Sequence, residues 1–93
     1  MVSPATPLAP REDPIAVMLG RRLGHQLRGY RNHHQLTQAE LATLVGSITR
    51  RTISHYERAE SLPDLPTLWR LVSACDLDAG ALFAPVRRRR GAA

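Results

Sequence analysis

The chain has 93 residues, 43% of them hydrophobic but only 4% aromatic, which suits one small domain with a mainly aliphatic core. Its single cysteine excludes an internal disulfide, and no apolar run approaches the roughly 20 residues needed to span a bilayer. The net charge is +5, all 13 basic residues are arginine, and the charge is polarised: residues 15–58 are basic, 59–84 are acidic, and "RRRR" lies near the end. A small domain charged in this way often faces a polyanion with one side.

Residues 1–14 carry four prolines and no periodic pattern, and read as a flexible N-terminal arm. The stretch "MVSPATPLAPREDP" has neither the basic start nor the apolar run of a signal peptide, so the cytoplasm is the expected compartment. Pro14 can open the first helix, where its missing N–H costs little. Leu19, Leu23, Leu27 and Tyr30 follow at helical spacing and form its inner face, with Arg21, Arg22, Arg28 and Arg31 prominent elsewhere. "NHHQ", 32–35, ends it.

"LTQAELATLVG", 36–46, reads as a second helix. Thr37 and Glu40 make a capping box, Leu41, Ala42 and Val45 an apolar face, and Gly46 a stop. Thr49 is an N-cap for a third helix, "RRTISHYE", in which only Ile53 and Tyr56 are suited to the interior. Asp64 caps a fourth helix with Pro66 in its first turn and a wide stripe of Leu65, Leu68, Trp69, Leu71, Val72 and Cys75. Asp78 caps a short fifth, "AGALF". The chain shows no internal repeat and no strand signal. The ordered domain is expected over 15–84, followed by a basic tail over 85–93.

The third helix poses a question. Two apolar residues dock it, so most of its surface lies outside. That surface begins with Arg50, Arg51, Thr52, Ser54 and His55, with no acid before Glu57. A helix N-terminus favours an anion, and arginine matches guanine O6 and N7 bidentately, with serine and threonine as adaptable partners. The inventory suits the major groove of DNA. A merely solvated basic face is the alternative for this helix taken alone.

The preceding helix decides between them. "LTQAELATLVG", a short turn, and "TISHYERA" resemble the Cro and phage-repressor (XRE) family of helix-turn-helix proteins, and "PDLPTLWRLVSACDLDAGALF" is similar to that family's terminal pattern. The resemblance runs over roughly residues 17–83. It implies an all-α, compact, five-helix, lambda-repressor-like helix-turn-helix domain with disordered termini. It implies a bacterial transcriptional regulator that binds double-stranded DNA sequence-specifically. The recognition helix is about 50–58, in the major groove. Gln38 takes the position of a phosphate-contacting glutamine. Arg50, Arg51, Thr52 and His55 match base-reading positions, with Thr49 at the helix start and Ser54 and Arg58 nearer the backbone. Arg31 and Glu57 match a pair that ties the first helix to the third. A homodimer on a near-palindromic operator is implied, and with no room for a sensing domain regulation is expected from a protein partner, from oligomerisation or from protein level. Antitoxins that bind DNA and a toxin, and protein-interaction modules reusing the fold, are the alternatives.

Three positions depart from the family pattern. The turn "GSIT" is about one residue longer than the common form, Ala59 replaces the glycine after "ER", and Gln35 replaces the glycine before "LTQ". No cofactor or membrane association is expected, and no enzyme activity either, because no nucleophile motif is present for it. His33 and His34 lack a third ligand at metal-binding spacing. Cys75 reads as a small core residue, and Trp69 as a core residue whose edge could join a dimer contact. The arginine tail reads equally as a phosphate clamp or a solvated end.

Overall fold

The computed structural model describes residues 5–7, as backbone, and 13–86. The arginine tail and most of the proline-rich arm lie outside the described residues. Seven elements follow in order: β1 (Ala5–Pro7), α1 (Pro14–His33), α2 (Gln38–Val45), α3 (Arg50–Glu57), β2 (Ser61–Pro63), α4 (Leu65–Cys75) and α5 (Ala79–Leu82).

The helix starts follow local side-chain chemistry. Asp13 caps α1, and Pro14 opens it. The capping box of α2 closes both ways, with the Thr37 N–H donating to Glu40 Oε1 (2.8 Å) and the Glu40 N–H to Thr37 Oγ1 (3.0 Å). Thr49 Oγ1 accepts from the Thr52 N–H (3.2 Å), Asp64 from Thr67 (2.9 Å) and Asp78 from Ala81 (3.0 Å).

The core gathers one stripe from each helix: Leu23 and Leu27, Leu41 and Ala42, Ile53 and Tyr56, Leu71 and Cys75, with Leu77 and Leu82 closing the far end. Ile53 and Tyr56 are both 0% exposed, so α3 rests on the two apolar residues its sequence offers. Burial first, and the Asp64 carboxylate second, push the Tyr56 phenol up to about 12. Burial alone pushes the Cys75 thiol up to about 11, which leaves it an inert core residue. Arg22 holds α1 to the end of α5 by donating to the carbonyls of Ala81, Leu82 and Ala84. Gln26 exchanges two hydrogen bonds with the Asp78 backbone.

Two expectations are corrected. Trp69 is 68% exposed and Leu65 76%, so neither belongs to the core. The inner face of α4 is the row Thr67, Leu71, Cys75, flanked by Leu68 and Val72. Leu65 and Trp69 lie one row further round, where a small domain has no second layer to cover them. Second, a strand pair is present: β1 pairs antiparallel with β2, matching Ala5 to Pro63, Thr6 to Leu62 and Pro7 to Ser61. Three-residue strands that each hold a proline carry no alternation to read, and proline is tolerated in such edge strands.

The helix ends were less legible. At α1 and α3 the left-handed stop that glycine usually supplies is kept without glycine, by Gln35 (φ 56°) and Ala59 (φ 58°); Asp76 (φ 50°) does the same at α4. The α2–α3 turn carries two successive residues of positive φ, Gly46 (81°) and Ser47 (66°), after which Ile48 packs on the core. A left-handed alanine costs about 1–2 kcal/mol, partly offset by the lower entropy of its unfolded chain. Ala59→Gly is therefore expected to raise stability by roughly 0.5–1 kcal/mol, read as a higher urea midpoint. A lower midpoint would show that Ala59 carries no backbone strain.

Candidate functional site

The surface of α3 follows from what lies beneath it. Ile53, Tyr56 and Glu57 face inward. The opposite row is Arg51, His55 and Arg58, spaced four and three along the helix. Arg50 and Ser54 flank it on one side and Thr52 on the other. Arg50, Arg51 and Arg58 are exposed, while Thr52, Ser54 and His55 are partly covered. Thr49, the cap, also meets the Thr52 hydroxyl at 3.2 Å, fixing the side chains of the first turn. The eight residues predicted from the sequence therefore fall into two places: seven on or beside this face, and Gln38 at the start of α2.

Gln38 is tied inward. Its amide nitrogen donates to Glu57 Oε1 at 3.2 Å, leaving its carbonyl and a second N–H at a half-buried position. Glu57 is where the site is held together. Its side chain is 1% exposed. Arg31 grips it bidentately, Nε to Oε2 at 2.7 Å and Nη2 to Oε1 at 3.0 Å, and Arg31 Nη1 also donates to the Leu36 carbonyl at 3.1 Å. The hydrogen bonds from Arg31 to Glu57 raise the guanidinium further above its ordinary value, against the opposing effect of burial. Arg28 adds a bond from Nη2 to the Glu57 carbonyl at 3.1 Å and places Nε 3.9 Å from the carboxylate. The Arg31–Glu57 link expected between the first and third helices is thus present, and it reaches α2 as well.

Two residues escaped the sequence reading. Arg28, half-exposed, stands beside the C-terminal end of α3, bonded to the Glu57 carbonyl. Glu60 is the only acidic side chain in contact with the outer row among the described residues. Its Oε1 lies 2.7 Å from His55 Nδ1 and 3.4 Å from Arg58 Nη2. Recognising a left-handed Ala59 would have predicted the contact with His55, because that stop brings the residue after it back over the helix.

Among the described residues, no group of three or more His, Cys, Asp or Glu side chains stands where it could hold a metal ion. No helix there is long and apolar enough to cross a membrane. What the site offers is a partly exposed face of guanidinium, hydroxyl and imidazole groups.

The HTH_3 helix-turn-helix family model matches residues 27–82. A crystal structure of an HTH_3 family transcriptional regulator from Vibrio cholerae is similar in fold, with 30% identity and a TM-score of 0.63 over 74% of this chain. The match spans 38% of that regulator's chain. No curated protein matches the sequence.

Proposed function

Because the chain belongs to the HTH_3 helix-turn-helix family, we propose that it is a transcriptional regulator that binds double-stranded DNA sequence-specifically through α3. The observation that carries the reading is the outer row Arg51–His55–Arg58 with Arg50, Thr52 and Ser54 beside it, on a helix whose start holds no acid. Arg50 and Arg51 stand at the leading end, where side chains of a recognition helix reach base edges. Bidentate arginine on guanine is their natural partner. In this reading Gln38, at the N-terminus of α2, takes a phosphate, and Arg58 and Arg28 take the flanking backbone. The reading includes a homodimer, whose two recognition helices meet half-sites about one helical turn apart.

The test uses DNA selected from a random pool. Arg50→Ala or Arg51→Ala is expected to lose about 1–3 kcal/mol on the selected site, and less on scrambled DNA at the same salt. Gln38→Ala should weaken both more evenly, since a phosphate contact carries no sequence. Equal losses on both DNAs for both arginine variants would reduce α3 to a phosphate-binding face. No loss on either would remove it from the interface.

A further inference from the structure

We propose that Glu60, outside the recognition helix, sets the hydrogen-bonding polarity of His55 and so makes that position prefer adenine or cytosine over guanine. The inference rests on the DNA-binding reading above. It begins at the end of α3. Ala59 is left-handed, its N–H donates to the Tyr56 carbonyl (3.0 Å), and the Glu60 N–H reaches back to the His55 carbonyl (2.9 Å). This pattern brings the side chain of the second residue past the cap against that of the third residue before it, and an apolar pair is the usual occupant. Here the pair is Glu60 and His55, with the carboxylate 2.7 Å from Nδ1.

A carboxylate only accepts, so Nδ1 carries the hydrogen. In the neutral ring Nε2 is then a bare acceptor. It is the nitrogen on the far side of the ring from Glu60, and the ring stands in the outer row between Arg51 and Arg58. In the major groove an acceptor finds a donor in the exocyclic amines of adenine (N6) and cytosine (N4), whereas guanine presents O6 and N7, both acceptors. Arg58, 3.4 Å from the same carboxylate oxygen, is the cation facing it among the described residues, and it carries its donors whichever ring nitrogen is protonated. The side chains of His55 and Glu60 are 39% and 45% exposed, and an exposed pair of this kind adds little to stability. Its effect is on where the ring hydrogen sits. Glu60 is thus a positioning residue, acting on DNA through His55.

The experiment compares the full chain with Glu60→Gln and Glu60→Ala. The glutamine carbonyl can still accept from Nδ1; alanine cannot. Ring nitrogen-15 shifts of His55 are read at about pH 8, above the ordinary imidazole range. The wild type and Glu60→Gln should show the hydrogen on Nδ1, and Glu60→Ala should move it toward Nε2. Each protein is then measured on variants of the selected site that differ at the base where His55→Ala erases the preference. Roughly fivefold discrimination against guanine is expected for the wild type and Glu60→Gln, about the worth of one hydrogen bond. It should vanish or reverse in Glu60→Ala. Because removing an acid near DNA strengthens binding to every sequence, the ratio between sites is the readout. Wild-type His55 protonated on Nε2, or an unchanged ratio in Glu60→Ala, overturns the inference while leaving DNA binding intact. A wild-type chain that selects no DNA overturns both.

Discussion

Glu57→Ala is expected to lower the unfolding free energy by about 3–5 kcal/mol, the loss typical when one member of a buried ion pair is removed. The carboxylate is 1% exposed and accepts from Arg31 twice and from Gln38 once. Truncation leaves the partly covered Arg31 guanidinium without its counterion and strips Gln38 of a partner. A small domain has only about 5–15 kcal/mol to lose, so the variant should be partly unfolded at moderate temperature. Chemical denaturation followed by circular dichroism measures it. The double variant Glu57→Ala/Arg31→Ala should be less unstable than the sum of the single losses, because it leaves neither charge stranded. A loss under about 1 kcal/mol in Glu57→Ala would place this pair with ordinary surface salt bridges.

Gly24→Ala should cost about 1–3 kcal/mol by overpacking, although alanine is the better helix former by roughly 1 kcal/mol. A Cβ at Gly24 would stand 2.7 Å from the Glu57 carbonyl oxygen and 2.8 Å from that of Tyr56. Those atoms are backbone, so no rotamer change relieves the contact. α1 must move away from the end of α3, and Arg28 and Arg31, one turn and two turns further along α1, would lose their aim at Glu57. Gly29 is the control: nothing lies within 4 Å of a Cβ there, and Gly29→Ala should stabilise. If both substitutions stabilise alike, the close approach of α1 to α3 is not what the geometry implies.

The parts of this fold that were legible in the sequence are those decided within a few residues. Thr37, Thr49, Asp64 and Asp78 cap the helices they precede, because an oxygen three residues before a free N–H needs no tertiary help. The spacing of Leu19, Leu23, Leu27 and Tyr30 marked the inner face of α1 for the same reason. Helix ends were less readable. Gln35 and Ala59 adopt a conformation their side chains disfavour, and only their standing at glycine positions of the family pattern pointed to it. The contact of Glu60 with His55 stayed hidden with it. Trp69 was misread because α4 has more apolar positions than one face can bury. At the candidate site, the outward residues of α3 were readable by subtraction once Ile53 and Tyr56 were assigned inward. That Gln38 would also lean on Glu57 was not, since it depends on how α2 and α3 cross.

Among the described residues, two electrostatic systems sit at different depths, and added salt therefore separates them. Mobile ions screen exposed charges over about 10 Å at 0.1 M but reach a buried pair poorly. Arg50, Arg51 and Arg58 are open to that screening, whereas the bond between Arg31 and Glu57 has a carboxylate sealed from solvent. Rising ionic strength thus strips the outer face of its attraction for a polyanion, a steep effect where several phosphates are engaged, while the fastening among the first three helices stays closed. If α3 binds DNA as proposed, salt releases the domain without loosening it.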